Sequence, residues 1–250
     1  MIGFARTVTR HYRRARHESD SNGAAISMPD DLRERMRDIP GSDDNLKPFP
    51  LTRTPDTDSQ GDQGPNMERI PGLLEHLKRR LGSPRRVESA QSDRGNRGYD
   101  LVFYEVEDPG IVTVVTNGLR FQRITAIRPE ELVCSLRSDQ ERFVHYLVDS
   151  IASMIVENGR GMEYGSVFGG DRPIIDGTSI TGVIAYTSPL FDAGFDFFPT
   201  ADAATVQMIS LVPVTEYEID FVADEGADML FEVFRLNGTD ILDIGRESAV

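Results

Sequence analysis

The chain has 250 residues, 39% of them hydrophobic, with 27 Lys+Arg against 41 Asp+Glu, one Cys and no Trp. That length fits one large domain, or one domain with a tail, and a formal charge of −14 argues against nucleic acid as a direct partner, because phosphate contacts need clustered cations. No apolar run approaches the ~18 residues of a membrane-spanning helix, and the lone Cys134 excludes an internal disulfide framework or a Cys-based zinc site.

The charge is unevenly placed. Residues 1–17 carry five Arg (Arg6, Arg10, Arg13, Arg14, Arg16) and no acid, whereas residues 101–250 hold 9 bases, none of them Lys, against 25 acids. The negative excess therefore sits in the C-terminal three-fifths, where it repels anions and speeds encounter with cationic partners. The residues after Arg13-Arg14 are polar, so no secretory signal is expected and the protein is read as cytoplasmic. The basic arm is read as a flexible start, with contact to nucleic acid or anionic lipid as the alternative.

Residues 18–66 are rich in Ser, Asp, Gly, Pro and Gln, and the stretch 52–65 has no aliphatic or aromatic side chain. Such a segment cannot bury enough apolar surface to offset its ordering entropy. Residues 1–66 are thus expected to form a disordered tail and linker, and residues 67–250 the folded domain. A short helix is predicted over 30–38, capped by Asp30, with Leu32 and Met36 one turn apart. Periodic structure begins near Pro71, where Leu73, Leu74, Leu77 and Leu81 predict one helical face and Gly82 a stop. After a polar stretch over 83–98, strands are predicted at 99–106 and 111–116, followed by the turn signal Asn117-Gly118. Residues 131–136 read as a third strand, which carries Cys134.

Residues 140–157 predict the clearest helix. Its ladder is Phe143, Leu147, Ile151 and Ile155, backed by Val144, Val148 and Met154, with Asp139 as N-cap and Gly159 just past the end. A Gly-rich loop over 159–177 precedes buried strands at 183–187 and 206–211. The segment 215–236 is predicted helical, Thr215 and Glu218 having the spacing of a capping box and Gly226 dividing it. A last apolar run, Ile241 to Ile244, leads to Arg246. Strands and helices recur without βαβ alternation, so the fold class is α+β, a mixed β-sheet packed with helices.

The residues offer little chemistry. His11, His17, His76 and His145 are scattered without ligand spacing. His145 falls about 200° round its helix from the apolar ladder, so His145 and Asp149 are expected to form a surface pair, and Cys134 to be a buried small hydrophobe. The glycines of 159–165 and 169–172 lack the spacing and side chains of phosphate loops. Adjacent carboxylates (Asp192/Asp196, Glu216/Glu218, Asp224/Glu225, Asp240/Asp243) are too common to mark a cleft. The expectation is a non-enzymatic domain with no catalytic residue, cofactor or metal.

From Val114 onward the sequence resembles the suppressor-of-fused family. The resemblance is carried by Val115-Thr-Asn-Gly-Leu119, by Pro129-Glu-Glu-Leu-Val-Cys134, by the Gly-rich segment from Gly165 to Pro189, by Met208-Ile-Ser-Leu-Val-Pro-Val-Thr-Glu216 and by Asp240-Ile-Leu-Asp-Ile-Gly-Arg-Glu-Ser248. It spans residues 99–248, and the family's tryptophans are absent from this chain. The animal namesake sequesters a transcription factor, and bacterial relatives are regarded as immunity proteins of polymorphic toxin systems. The resemblance therefore implies a stoichiometric protein binder. With 25 Arg against 2 Lys, a composition expected of a GC-rich bacterial genome, the leading reading is an immunity protein that blocks a cognate, basic toxin. The alternative is a regulatory scaffold that sequesters a protein or peptide, for instance by strand addition; a carboxylate-dependent hydrolase ranks third. Partner contacts are expected at exposed acids near loops: Asp192, Asp196, Glu216, Glu218 and Asp220. Pro213 and Thr215 mark the passage from strand to capped helix, and Asp243 with Arg246 is read as a structural pair. Neither nucleic acid nor membrane is expected as a partner.

Overall fold

A computed structural model describes residues 72–92, 95–200 and 205–250. The proposed tail, its basic arm, the helix over 30–38 and Pro71 lie outside the described residues. In chain order the elements are α1 (Leu73–Leu81), β1 (Arg86–Glu88), β2 (Gln91–Ser92), β3 (Gly95–Asn96), β4 (Asp100–Val106), β5 (Ile111–Asn117), β6 (Glu130–Arg137), α2 (Glu141–Asn158), β7 (Val167–Gly169), β8 (Ile180–Tyr186), β9 (Phe197–Phe198), β10 (Val206–Thr215), α3 (Glu216–Glu225) and α4 (Ala227–Asn237).

Eight strands form one sheet in the order β1-β4-β5-β6-β10-β8-β7, with β9 also beside β10. Its pairs are antiparallel except β6 with β10, which run parallel. The sheet is therefore mixed and packed with helices, as the pattern predicts.

Side chains alternate across a strand, so each strand feeds two cores. On one face Leu101 and Phe103 of β4, Val112 and Val114 of β5, and Leu132, Cys134 and Leu136 of β6 pack under α2. The ladder of α2 buries Val144, Leu147, Val148, Ile151 and Ile155, with Phe143 half-buried at its edge. On the other face α1 covers Val102, Tyr104, Val115 and Met208 with Leu73, Leu77 and Leu81. Further along that face, Leu230 and Phe234 of α4 cover Ile184, Val212 and Val214. Burial on both faces explains why β10 is apolar from Met208 to Val214 except at Ser210.

Three local expectations are corrected. In α1 the inward face takes His76, while Leu74 is 53% exposed; the His76 Nε2 lies 3.1 Å from the Phe195 carbonyl oxygen, a polar bond that a leucine-only stripe does not foresee. Asp139 sits in a short 3₁₀ turn (Ser138–Gln140), and Gln140 precedes α2 without a side-chain cap. His145 and Asp149 do not pair. The His145 ring stacks on Phe103 and its Nε2 lies 3.1 Å from Glu88 of the edge strand β1, while Asp149 accepts from the Tyr99 hydroxyl at 3.0 Å. The helix face that looks solvated in isolation is thus bordered by β1, a strand too short to show in the polar stretch 83–98.

The parallel pairing of β6 and β10 covers only Glu130–Val133 against Gln207–Ser210. Beyond it, the closing segment links the two strands. The Arg137 amide donates to the Leu242 carbonyl at 3.1 Å, the Ile244 amide to Gln140 Oε1 at 3.0 Å, and Arg246 Nη2 to the Pro213 carbonyl at 2.9 Å. Pro213 lies past the β6 pairing, so its missing N–H breaks no ladder bond in an otherwise central strand.

Candidate functional site

An open cleft of ≈ 910 Å³ lies where the start of α1, the β2–β3 hairpin, the start of β4 and the turn after β5 meet. Leu73, Leu74, Phe121 and Val156 give it apolar surface, and Asn96 and Gln122 give it amides. Its wall is the turn predicted from Asn117-Gly118. That turn is held from below by Glu131, fully buried in β6, which accepts from the Gly118 amide at 2.9 Å, the Leu119 amide at 3.2 Å and the Thr116 hydroxyl at 2.6 Å. Arg120 closes the set with a buried ion pair to Glu131. Burial pushes the Glu131 carboxyl upward, opposed by Arg120 and by the turn's donors. Gly118 has φ 124°, and a Cβ there would meet the Gly98 carbonyl oxygen at 3.1 Å, so the position needs glycine on both counts.

The rim beside Tyr99 is equally fixed. Arg97 reaches the Tyr99 carbonyl at 2.9 Å, Glu88 at 2.8 Å and Asp149 at 3.3 Å. Burial pushes the Tyr99 phenol up, and its hydroxyl lies 3.0 Å from the Ser153 hydroxyl. Asp100 accepts from the Ala90 amide at 2.8 Å. These charged groups spend their hydrogen bonds inside the protein, and what remains toward the cleft is the exposed Glu75 carboxylate together with apolar surface and amide donors and acceptors.

The predicted contact acids separate into two groups at opposite ends of β10. Asp192 and Asp196 precede β9, beside the strand's start, and Glu216, Glu218 and Asp220 follow its end on α3. Ten strand residues place the two ends about 30 Å apart. Asp192 is exposed, and Glu216 and Asp220 are half-exposed. The other two are corrected. Asp196 is buried, accepts from the Ser188 amide at 2.7 Å and is pushed up to about 6 by burial. Glu218 is buried because the capping box turns it back on its own helix: its Oε2 accepts from the Thr215 amide at 2.9 Å, and the Thr215 hydroxyl accepts from the Glu218 amide at 3.3 Å. The spacing that reveals the box already withdraws Glu218 from the surface.

Asp243 and Arg246 meet only through the backbone, the Arg246 amide donating to the Asp243 carbonyl at 3.2 Å, and their side chains turn to other partners. Asp243 accepts from Gln140 Nε2 at 2.8 Å and the Gly245 amide at 2.9 Å, while Arg246 is drawn to buried Glu218. Glu130 escapes the sequence reading. It is fully buried without a cation, its carboxyl accepts from the Met162 amide at 2.9 Å and Gln207 Nε2 at 3.2 Å, and burial pushes it up to about 7. In the sequence it shows only as one more acid before a strand. Neither Glu130 nor Asp196 lines the cleft. Among the described residues no group of three His, Cys, Asp or Glu is placed to hold a metal ion, and no helix is long and apolar enough to cross a membrane.

Comparison with known proteins places this geometry. A family model described as Suppressor of fused protein (SUFU) matches residues 95–247. A search of curated proteins finds no match. Among solved structures, a protein described as a SUFU homologue from Neisseria gonorrhoeae aligns with TM-score 0.55 at 16% identity, over 71% of this chain and 94% of its own. A chain of the Sufu-Fu complex aligns with TM-score 0.55 at 13% identity, over 71% of this chain and 91% of its own. Drosophila Suppressor of Fused aligns with TM-score 0.53 at 12% identity, over 71% of this chain and 50% of its own. At these identities the likeness is one of fold.

Proposed function

The chain belongs to the suppressor of fused protein family, and from that premise we propose that it is a binding domain that holds a protein or peptide partner in a one-to-one complex. The cleft at the head of α1 carries the reading. It joins Leu73, Leu74, Phe121 and Val156 to the amides of Asn96 and Gln122 on a frame locked by Glu131 and Arg120. A preformed wall of this kind lowers the ordering cost of association. A relative solved as the Sufu-Fu complex supports a protein as the occupant. Of the carboxyls raised by burial, Glu130 and Asp196 are enclosed by protein donors away from the cleft and Glu131 is spent on Arg120 and the turn amides, while the Tyr99 hydroxyl on the rim is engaged by Asp149, which favours holding over turnover.

A second reading, an immunity protein for a cognate toxin, draws on the charge. A field of −14 captures a cationic partner quickly, and Asp192, Glu216 and Asp220 are the remaining solvent-facing acids to steer it. Co-expression with the neighbouring open reading frame tests it. Rescue of growth by this chain supports the toxin as partner, and a neighbour that is harmless alone contradicts it. The broader binding reading is tested with Leu74→Asp, which alters an exposed cleft residue. The tagged full chain is expected to co-purify with one partner and the variant to lose it about tenfold or more. Equal retention by the variant contradicts the cleft as the site.

A further inference from the structure

The segment 159–165, which leads from the end of α2 toward β7, rests on a buried carboxyl. Glu130 is 0% exposed. Its Oε1 accepts from the Met162 amide at 2.9 Å and its Oε2 from Gln207 Nε2 at 3.2 Å. A Cβ at Gly161 would lie 2.6 Å from that Oε1 and 2.8 Å from the Ala126 Cβ, so the backbone of the segment sits directly on the carboxyl. The same stretch is stitched to the residues before β6. The Thr125 amide donates to the Gly159 carbonyl at 2.8 Å, and the Gly161 amide to the Thr125 carbonyl at 2.9 Å. Met162 is buried in the core, and the Tyr164 hydroxyl donates to the Met208 carbonyl at 3.1 Å.

Among the described residues no cation answers a negative charge at Glu130, and both its donors are neutral. Glu131, next along β6, is spent on Arg120 and repels a charge on its neighbour. β10 carries no titratable side chain. Arg160 and Glu163 of the segment are exposed, as are Arg123 and Arg128 before β6 and Glu157 at the end of α2. Arg128 lies over the Phe197 ring. Asp196, beside the start of β10, is a second buried acid and is turned to the Ser188 amide. A carboxylate with neither counter-charge nor water is costly. Burial accordingly keeps the proton on Glu130 up to about 7. Lifting the backbone of 159–165 off the carboxyl admits water to it.

We propose that Glu130 is a proton-operated latch on 159–165: protonated, it seats the segment on the sheet, and ionised, it releases the segment and lets water in. Release unpicks the Met162 amide bond and the two bonds to Thr125, and leaves the sheet ladders intact. It is a local opening, distinct from loss of the whole fold, and it does not depend on what the cleft holds. In the open form Glu130 returns to its ordinary 4.5, whereas the closed form holds it at about 7. Opening therefore becomes easier by about tenfold per pH unit between those values, and no easier above 7.

Amide hydrogen exchange of the full chain, read by NMR from pH 5 to 8, tests this. At each pH the wild type is compared with Glu130→Gln, which keeps the acceptor for Met162 but cannot ionise; the ratio cancels the intrinsic pH dependence of exchange. For the amides of Gly161 and Met162 the ratio is expected to rise about tenfold per unit up to pH 7 and then level off. Their rates are expected to stay the same in 1 M urea, because a local opening exposes little surface. A ratio flat across pH overturns the proposal, and so do rates that climb with urea in step with the amides of β8 and β10. Carbon-13 titration of the Glu130 carboxyl in the wild type keeps the test decisive if the variant fails to fold. A midpoint near 7 is expected, and one near 4.5 would overturn the latch.

Discussion

Arg246 and Glu218, 28 residues apart, form a two-pronged buried ion pair, Nη1 to Oε1 at 2.6 Å and Nη2 to Oε2 at 2.8 Å. The same guanidinium donates to the Pro213 carbonyl at 2.9 Å, and the same carboxylate accepts from the amides of Thr215 and Ala249, each at 2.9 Å. One contact thus ties the end of β10, the start of α3 and the closing segment together. Breaking a buried pair leaves an uncompensated charge, so Arg246→Ala and Glu218→Ala are each expected to cost about 3–5 kcal/mol. Arg246→Lys should recover little, because a point charge cannot replace the guanidinium fork. Urea unfolding measures all three, and an unchanged midpoint for Arg246→Ala contradicts the assignment.

Stability should fall as pH rises through the weakly acidic range. Burial raises Glu130 from 4.5 to about 7 and Asp196 from 3.8 to about 6. A carboxyl raised on folding binds its proton more tightly in the native state, so its contribution is complete below the unfolded pKa and is lost as pH climbs through the folded one. For Glu130 the loss between pH 4.5 and 7 is on the order of 3 kcal/mol. Glu88 runs the other way. The His145 ring nitrogen 3.1 Å away and the Arg97 guanidinium hold it at about 2, so its contribution is present above 4.5 and vanishes as pH falls toward 2. Urea midpoints across this range should decline toward neutrality in the wild type and flatten in Glu130→Gln. Parallel curves for the two proteins would be the contrary result.

Gly182 faces Gly169 across β7 and β8 with no room for a side chain on either strand. A Cβ at Gly182 would meet the Phe168 carbonyl oxygen at 2.5 Å and Gly169 Cα at 2.9 Å, with Ile219 Cδ1 of α3 at 3.0 Å. Backbone must move to admit it, so Gly182→Ala is expected to destabilise by about 1–3 kcal/mol. Hydrogen exchange should show the loss concentrated in β7, β8 and α3. A neutral effect would mean that the two strands do not approach so closely.

The outline of this fold is legible because most elements declare themselves locally. The capping box of Thr215 and Glu218, the break at Gly226, the turn at Asn117-Gly118 and the apolar ladder of α2 each rest on neighbours within a turn or two. What fails is everything that needs a partner far along the chain. Nothing near Arg246 marks Glu218 as its counterpart, since Asp243 is three residues away and equally acidic. His145 looks like a surface residue until β1 supplies Glu88, 57 positions earlier in the chain. Asp196 and Glu130 look like solvent acids because their stabilising donors are the distant amides of Ser188 and Met162. The cleft is the extreme case, since its wall draws on residues from Gly72 to Val156.

If the acidic surface steers a cationic partner, the effect belongs to the association rate. Charge reversal at Asp192 and Glu216 together should slow association about tenfold at low salt and leave dissociation nearly unchanged. Added salt should compress the difference, since exposed charges are screened over ~10 Å. Surface plasmon resonance reads both rates. A change confined to dissociation would place these acids inside the contact itself.

In the proposed complex this chain holds another polypeptide in the cleft at the head of α1. Native mass spectrometry of the tagged full chain, purified at low salt from its own cells, tests that most directly. The predicted result is a single added mass equal to one partner protein at one-to-one stoichiometry, absent when Leu74→Asp replaces the wild type. The chain alone, or the same complex with Leu74→Asp, is the result that contradicts it.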